Sequence, residues 1–227
     1  DTLSHVSLSG VAFGRFLGFS PTISTVIVVI IAAVFLEYLR TVYKDFMEIG
    51  TAILMSTGLA LALVIMKGGG KSSMSLDQYL FGSTLTITDE QVLALFIIAA
   101  IVLVLTILFI RPMYILTFDE DTAYVDGLPV RLMSILFNIV TGVAIALMIP
   151  AAGSLLVSTI MVLPASIALK LGKTFRSVML LAVVIGFVGM VSGLILSYYP
   201  DTPVSATITL LFVSFFLLSN LFVKFRK

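Results

Sequence analysis

Long apolar segments constrain this chain more than any other feature of its sequence. Eight segments of about 20 residues each are long enough to cross the hydrocarbon core of a bilayer; they cover residues 1–18, 22–40, 46–66, 91–110, 131–149, 151–169, 177–197 and 205–223. Within a bilayer, a helix satisfies its backbone hydrogen bonds inside one segment. The sequence therefore predicts an all-α, polytopic integral membrane protein, a helical bundle of about eight spans that forms a single transmembrane domain over residues 1–227.

Composition supports the membrane assignment and excludes several classes of protein. Hydrophobic residues make up 60% of the chain and charged residues 11%, whereas soluble domains have roughly 45–50% and about 25%. Thirteen basic and twelve acidic residues nearly balance, so no basic face for nucleic acid is expected. The lack of cysteine excludes a disulfide framework and a cysteine-based zinc site.

The distribution of basic residues indicates an orientation. If residue 1 is cytoplasmic and eight spans follow, three basic residues lie outside, Arg15, Lys67 and Lys71, and ten lie inside: Arg40, Lys44, Arg111, Arg131, Lys170, Lys173, Arg176, Lys224, Arg226 and Lys227. This bias agrees with the positive-inside rule. The fifth and sixth segments meet at residues 150–153, so this stretch is either a loop or a break within one helix.

The candidate metal ligands lie at the start of the chain, in Asp1-Thr2-Leu3-Ser4-His5. At 3.6 residues per turn, Asp1, His5 and Ser9 share one helix face, which sets a carboxylate and an imidazole one turn apart. His5 is the only histidine, so imidazole ligation of a transition metal has no other place in this chain. The alternative is an Asp and a His that only cap and pack a helix start.

Glycines follow the candidate ligands at four-residue spacing. Gly10, Gly14 and Gly18 form a small-residue stripe that allows a second helix to approach closely. We expect this stripe to be a packing surface.

Charged residues near the span ends carry two interpretations. Glu37 and Glu48 could line a path through the membrane, or they could be interfacial charges, with Glu37 paired to Arg40 one turn on and Glu48 beside Lys44 and Asp45. Helix ends at the membrane surface tolerate charge, which favours the second interpretation.

Two connections between spans contain short helices of their own. Lys67–Ser72 ends in Gly-Lys-Ser, but the spacing and the preceding strand that a phosphate loop requires are missing; a short amphipathic helix follows over residues 76–82. Acidic residues begin a second short helix at about 118–127, and Gly127 followed by Pro129 ends it. Its Phe118, Tyr124 and Val125 suit either docking to another protein or contact with the membrane surface.

Several separated motifs together resemble the permease subunits of bacterial ABC importers for zinc and manganese (the ABC-3 family), with the closest likeness to the zinc permeases of Gram-positive bacteria. The motifs run in the family's order along the whole chain: Asp1-Thr2-Leu3-Ser4-His5 with Gly10-Val11-Ala12, Phe118-Asp119 with Ala123 and Gly127-Leu128-Pro129-Val130, and Gly153 with Leu155-Leu156-Val157-Ser158 and Pro164-Ala165. The resemblance implies one further span before Asp1. It also implies a multi-pass protein of the bacterial cytoplasmic membrane.

The resemblance further implies how the chain works. Asp1 and His5 would form the metal site in the translocation path, and the helix from Asp119 to Val125 would be the coupling helix on a separate cytoplasmic ATPase, its contact residues being Phe118, Asp119, Glu120, Asp121, Tyr124 and Gly127. The other partners would be an extracellular metal-binding protein, a second permease copy and the lipid bilayer. Zn²⁺, or alternatively Mn²⁺, would be the transported substrate, with no permanently bound cofactor. The chain would be a transport subunit that is not itself an enzyme.

Two other functions are compatible with the residues alone. A self-sufficient cation channel or a proton-coupled secondary metal transporter would use Glu37 and Glu48 as proton carriers. In a membrane scaffold without transport, Asp1 and His5 would only cap and pack their helix.

Overall fold

The computed structural model describes residues 2–43, 46–68, 76–82, 87–199 and 202–226, and regular structure within these ranges is helical throughout. The helices are α1 (Thr2–Leu17), α2 (Pro21–Val42), α3 (Met47–Gly68), α4 (Leu76–Phe81), α5 (Asp89–Phe118), α6 (Glu120–Val125), α7 (Val130–Leu171), α8 (Phe175–Tyr198) and α9 (Val204–Arg226). The predicted all-α membrane fold is confirmed. Both predicted short helices are present, as α4 and α6.

The predicted count of about eight spans is wrong. Within the described ranges, six helices are long and apolar enough to cross a membrane: α2, α3, α5, α7, α8 and α9. The difference has two causes. Helix α1 is described over 16 residues, from Thr2, and is not among these six. The segments 131–149 and 151–169 both lie in α7, whose 42 residues form two helical segments that meet at a kink at Gly153.

Contacts divide the described helices into two compact units. The first unit holds α1, α2, α3, α5, α6 and α7 up to Met148; the second holds α4, α7 from Ile149 onward, α8 and α9. A single transmembrane domain over residues 1–227 stays a prediction.

Helix α1 packs against both α2 and α3 in the first unit. A Cβ atom added at Gly10 would lie 2.5 Å from the Cα of Thr25 in α2, and one added at Gly58 in α3 would lie 2.8 Å from a methyl carbon of Val6. Such close backbone approach is typical of helices packed through small residues in membranes. The glycines therefore allow both α2 and α3 to pack closely against α1.

The second unit contains a break within α7. Gly153 has φ 78° and ψ 154°, which no α-helix accommodates, so the stretch 150–153 contains a kink at which the two helical segments of α7 meet. Gly82, just after α4, also has a positive φ of 69° and lies against Gly153. A Cβ atom on Gly153 would lie 2.5 Å from the carbonyl carbon of Phe81, so glycine at this position allows α4 to contact the backbone at the break.

Candidate metal site and the short helix α6

His5 is the candidate metal ligand that the structure describes, and its imidazole is only partly buried. Thr2 and Phe13 are also partly exposed, and at 3.6 residues per turn they share a face of α1 with His5. Ser9, which helical periodicity places on the same face as His5, is not exposed in the structure. It is buried, and its hydroxyl donates to the carbonyl of Val6 at 2.7 Å.

Asp1, the predicted partner of His5, lies outside the described residues. Among the residues that are described, no three His, Cys, Asp or Glu side chains come together as a metal site. The structure therefore gives the position of the imidazole, and ligation by Asp1 and His5 stays a prediction.

The rest of α1 holds His5 in a defined direction. Leu3, Val6 and Leu8 are buried, and the buried hydroxyl of Ser7 donates to the Ser4 carbonyl at 2.6 Å. Because the helix is packed on its other faces, it is not free to turn about its axis, and rigid support is what a ligand side chain requires.

The three glycines of the predicted stripe lie in different surroundings. Gly10 and Gly14 face α2, where a Cβ on Gly14 would lie 2.9 Å from the Cα of Pro21. Gly18 follows the last residue of α1, has φ +74° and has open space around it. In the structure Gly18 thus lies at the end of the helix, away from the packed surface that includes Gly10 and Gly14.

Local hydrogen bonds define both ends of α6. At its start, Asp119 accepts from the Thr122 hydroxyl at 2.5 Å and from the Thr122 amide at 2.9 Å. These bonds stabilise the carboxylate, so the pKa of Asp119 is lower than usual. At its end, the Gly127 amide bonds the Tyr124 carbonyl and the Leu128 amide bonds the Ala123 carbonyl, a Schellman motif that requires the positive φ of Gly127.

One side of α6 is exposed and apolar. Tyr124 is 77% and Val125 is 83% exposed, and Phe118 at the end of α5 is also exposed, whereas Ala123 is fully buried. Adjacent exposed aromatic and aliphatic side chains are characteristic of protein contact surfaces. Asp121 is exposed beside them, so the surface combines apolar and acidic groups.

Arg40, near the end of α2, links α6 to two other helices of the first unit. Its guanidinium donates to Glu120 of α6 at 2.5 Å and to Ser134 of α7 at 2.5 Å. The predicted pair of Glu37 with Arg40 is confirmed, at 3.6 Å. Glu37 is only 4% exposed, and the side-chain amide of Asn138 lies 3.4 Å from its carboxylate.

Sequence reasoning missed the roles of Ser134 and Asn138. A signal was present, because these two polar residues lie four positions apart in an apolar segment and so share one helix face. Glu48 is exposed, and its predicted neighbours Lys44 and Asp45 lie outside the described residues. The Gly-Lys-Ser sequence at 70–72 also lies outside them.

Comparison with known proteins identifies the family. The model of the ABC 3 transport family matches residues 1–223. The chain belongs to this family. It is 29% identical over 219 residues to ZnuB, the high-affinity zinc uptake system membrane protein of Haemophilus influenzae, covering 96% of this chain and 84% of the relative. It is 28% identical to ScaB, the manganese import system permease protein of Streptococcus parasanguinis, covering 96% and 78%.

A solved structure agrees with this membership. The chain matches PsaBC from Streptococcus pneumoniae, solved in complex with Fab, with a TM-score of 0.82 at 27% identity, covering 96% of this chain and 79% of the other. As a member of the ABC 3 transport family, the chain is a transport component and a multi-pass protein of the bacterial cytoplasmic membrane. The relatives include a membrane protein of a zinc uptake system and a permease of a manganese import system, so membership alone leaves the metal open.

Proposed function

We propose that this chain is the permease subunit of an ATP-driven importer that carries Zn²⁺ across the cytoplasmic membrane by alternating access. The match to the ABC 3 transport family along residues 1–223 carries the proposal. The partly exposed His5, on a helix packed against two others, supports it. Mn²⁺ is the alternative substrate.

Asp1 and His5 are the proposed ligands of the moving ion. A carboxylate supplies charge that favours a dication, and neutral imidazole supplies a nitrogen ligand that suits Zn²⁺ better than Mg²⁺ or Ca²⁺. Two protein ligands are fewer than the four of a structural zinc site, so water or a second permease copy completes the coordination. Incomplete ligation allows release, which transport requires.

Helix α6 is the proposed docking element for a separate cytoplasmic ATPase. Its contact residues are those predicted from the sequence: Phe118, Asp119, Glu120, Asp121, Tyr124 and Gly127. The exposed Phe118 and Tyr124 support docking because aromatic side chains are enriched in protein interfaces. Gly127 contributes through backbone geometry, since its positive φ ends α6.

The complete importer would contain two permease copies and an extracellular metal-binding protein. The binding protein delivers the ion to the outer mouth of the path. ATP binding and hydrolysis then move α6 and open or close the path past Asp1 and His5.

The test is metal uptake by cells that express the complete importer with wild-type permease or His5→Ala, at matched membrane abundance. We expect ATP-dependent Zn²⁺ uptake, stronger than Mn²⁺ uptake, that falls in His5→Ala by at least the ~10–100-fold that loss of an outer-shell metal partner causes. Ser9→Ala is the matched control, because Ser9 lies one turn away and its hydroxyl bonds the Val6 carbonyl.

Each other outcome refutes a defined part of the proposal. Wild-type uptake that needs a proton gradient and no ATP would identify a secondary transporter instead. ATP-dependent uptake that survives in His5→Ala would refute the metal site. Stronger uptake of Mn²⁺ than of Zn²⁺ would change the substrate while leaving the importer in place.

A further inference from the structure

Arg40 connects three helices of the first unit through one side chain. One end of its guanidinium donates to Glu120 of α6, and the other donates to Ser134 of α7 while lying 3.6 Å from Glu37 of its own helix. The planar guanidinium presents donors in fixed directions, so one arginine can bind several partners at once. Lysine, with a single ammonium group, has no such fork.

The partners of Arg40 differ strongly in burial. The Glu120 side chain is 54% exposed, and an ion pair this exposed contributes little to stability. Glu37 is almost completely buried and receives the Asn138 amide as well as the Arg40 charge. Arg40 is thus anchored to a buried carboxylate at one end and contacts an exposed carboxylate of α6 at the other, an arrangement that suits transmission of movement.

The helix that carries Arg40 also touches the helix that carries His5. Gly10 of α1 lies against the backbone of Thr25 in α2. Gly142 of α7 lies against Val29 of α2 and Leu3 of α1. Because close-packed helices shift together rather than deform, displacement of α2 or α7 is transmitted to α1.

We propose that Arg40 is the positioning residue that couples α6 to α2 and α7, and through them to the helix of His5, with Glu120 as its contact on α6 and Glu37 and Asn138 as its anchor. This inference rests on the proposed function, in which α6 receives the movement of the ATPase. The proposed role of Arg40 requires no contact with substrate or nucleotide. Its effect is on the coupling between hydrolysis and transport.

The experiment measures metal uptake and ATP hydrolysis together by the complete importer in proteoliposomes, with the same amount of permease in each sample. We expect Arg40→Gln and Glu120→Gln each to lower the number of Zn²⁺ ions imported per ATP by about fivefold or more, the lower end of the usual range of coupling between sites. The double variant should fall no further, because both changes break the same contact. A loss of folded permease would lower uptake and importer-dependent hydrolysis together and leave their ratio unchanged.

Arg131→Gln is the matched control. Arg131 is exposed in the first turn of α7, and its side chain has no ion pair within the described ranges. We expect the control to keep the wild-type ratio of uptake to hydrolysis. If Arg40→Gln does not fold because Glu37 loses its partner, Ser134→Ala decides the question: it removes the contact of Arg40 with α7, leaves the pair of Glu37 and Arg40 intact, and changes no proposed contact of the ATPase, so it should lower the same ratio.

The remaining outcomes separate this inference from the proposed function. ATP-dependent uptake by wild type with an unchanged ratio in Glu120→Gln would overturn the role of Arg40 alone. The role of Arg40 would also be overturned if the fold reductions measured for the two single variants multiplied in the double variant. Wild-type uptake without dependence on ATP would overturn the proposed function and this inference with it.

Discussion

Gly10 is a residue at which α1 and α2 lie too close together for a side chain. The position of a Cβ on Gly10 is 2.5 Å from the Thr25 Cα and 3.2 Å from the Thr25 nitrogen. These are backbone atoms, so no side-chain rotation can relieve the contact. Glycine at this position is therefore a condition for the helix contact that supports His5.

We expect Gly10→Ala to destabilise the first unit by about 1–3 kcal/mol, the usual range for overpacking, and to lower the melting temperature of the permease in detergent. Gly186→Ala is the control. A Cβ there meets only Pro164, at 3.9 Å, and alanine favours the helix more than glycine does. Equal melting temperatures of Gly10→Ala and wild type would show that α1 and α2 are not held by this contact.

The sequence contains enough information to place single residues relative to their own helix, but not relative to distant partners. The pair of Glu37 with Arg40 could be predicted because it lies within one turn. The contacts of Arg40 with Glu120 and Ser134 span 80 and 94 residues of sequence, and local periodicity carries no information at that range. His5 could be predicted as a candidate ligand from residue type, whereas its partial exposure depends on how α2 and α3 pack around α1.

Helix α6 shows how a six-residue element can be defined by its ends. So short a helix is marginal by itself, and its Asp119 cap and Gly127 Schellman motif satisfy backbone groups at both termini. Both signals are local, so the sequence was sufficient to predict the helix. Which of its side chains are exposed depends on packing, as the burial of Ala123 between exposed neighbours demonstrates.

The Asp119 cap should make α6 sensitive to acid. The pKa of Asp119 in the folded protein lies below its usual value of 3.8, so stabilisation by the carboxylate is fully present above that value. It is lost as the pH falls through the lowered pKa. We expect hydrogen exchange of the Thr122 amide, corrected for its intrinsic rate, to keep its protection down to pH 3.8 and to lose it only below that value, as the lowered pKa of Asp119 is passed.

Asp119→Asn is the matched control for this titration. Asparagine keeps an oxygen that accepts from the Thr122 amide, but it carries no titrating carboxyl group. Protection of Thr122 in this variant should therefore not change over the same pH range. An equal loss of protection in both proteins would assign the acid sensitivity to a different group.

The whole chain is organised by the bilayer, and its apolar segments could be predicted for that reason. Hydropathy correctly indicated α2, α3, α5, α8 and α9 as spanning helices, because lipid imposes the same requirement on each one. It also divided the stretch of α7 into two segments, 131–149 and 151–169, and the backbone of α7 has its kink at Gly153, close to that division. Gly153 in a run of small residues was the available signal, and it did not distinguish a loop from a break.

Gly153→Ala should destabilise the second unit by more than the backbone strain of a positive φ alone would. A Cβ atom at Gly153 would clash with backbone atoms of residues 80–82. In addition, the positive φ of this residue is unfavourable for alanine. Gly18→Ala isolates the second effect, because Gly18 has a similar φ of +74° and open surroundings. We expect a lower melting temperature for Gly153→Ala than for Gly18→Ala. Equal values would show that strain alone, about 1–3 kcal/mol, accounts for the requirement.

The contact between Gly82 and Gly153 also sets an order of events during biosynthesis. The contacts of α1 with α2 and α3 lie within residues 2–68, so they can form before the rest of the sequence described here is translated. Helix α4 leaves the ribosome soon afterwards, but its backbone partner at Gly153 is made much later. Until then α4 lacks the surface that it contacts in the finished protein, and chains released early would expose it to quality-control proteases.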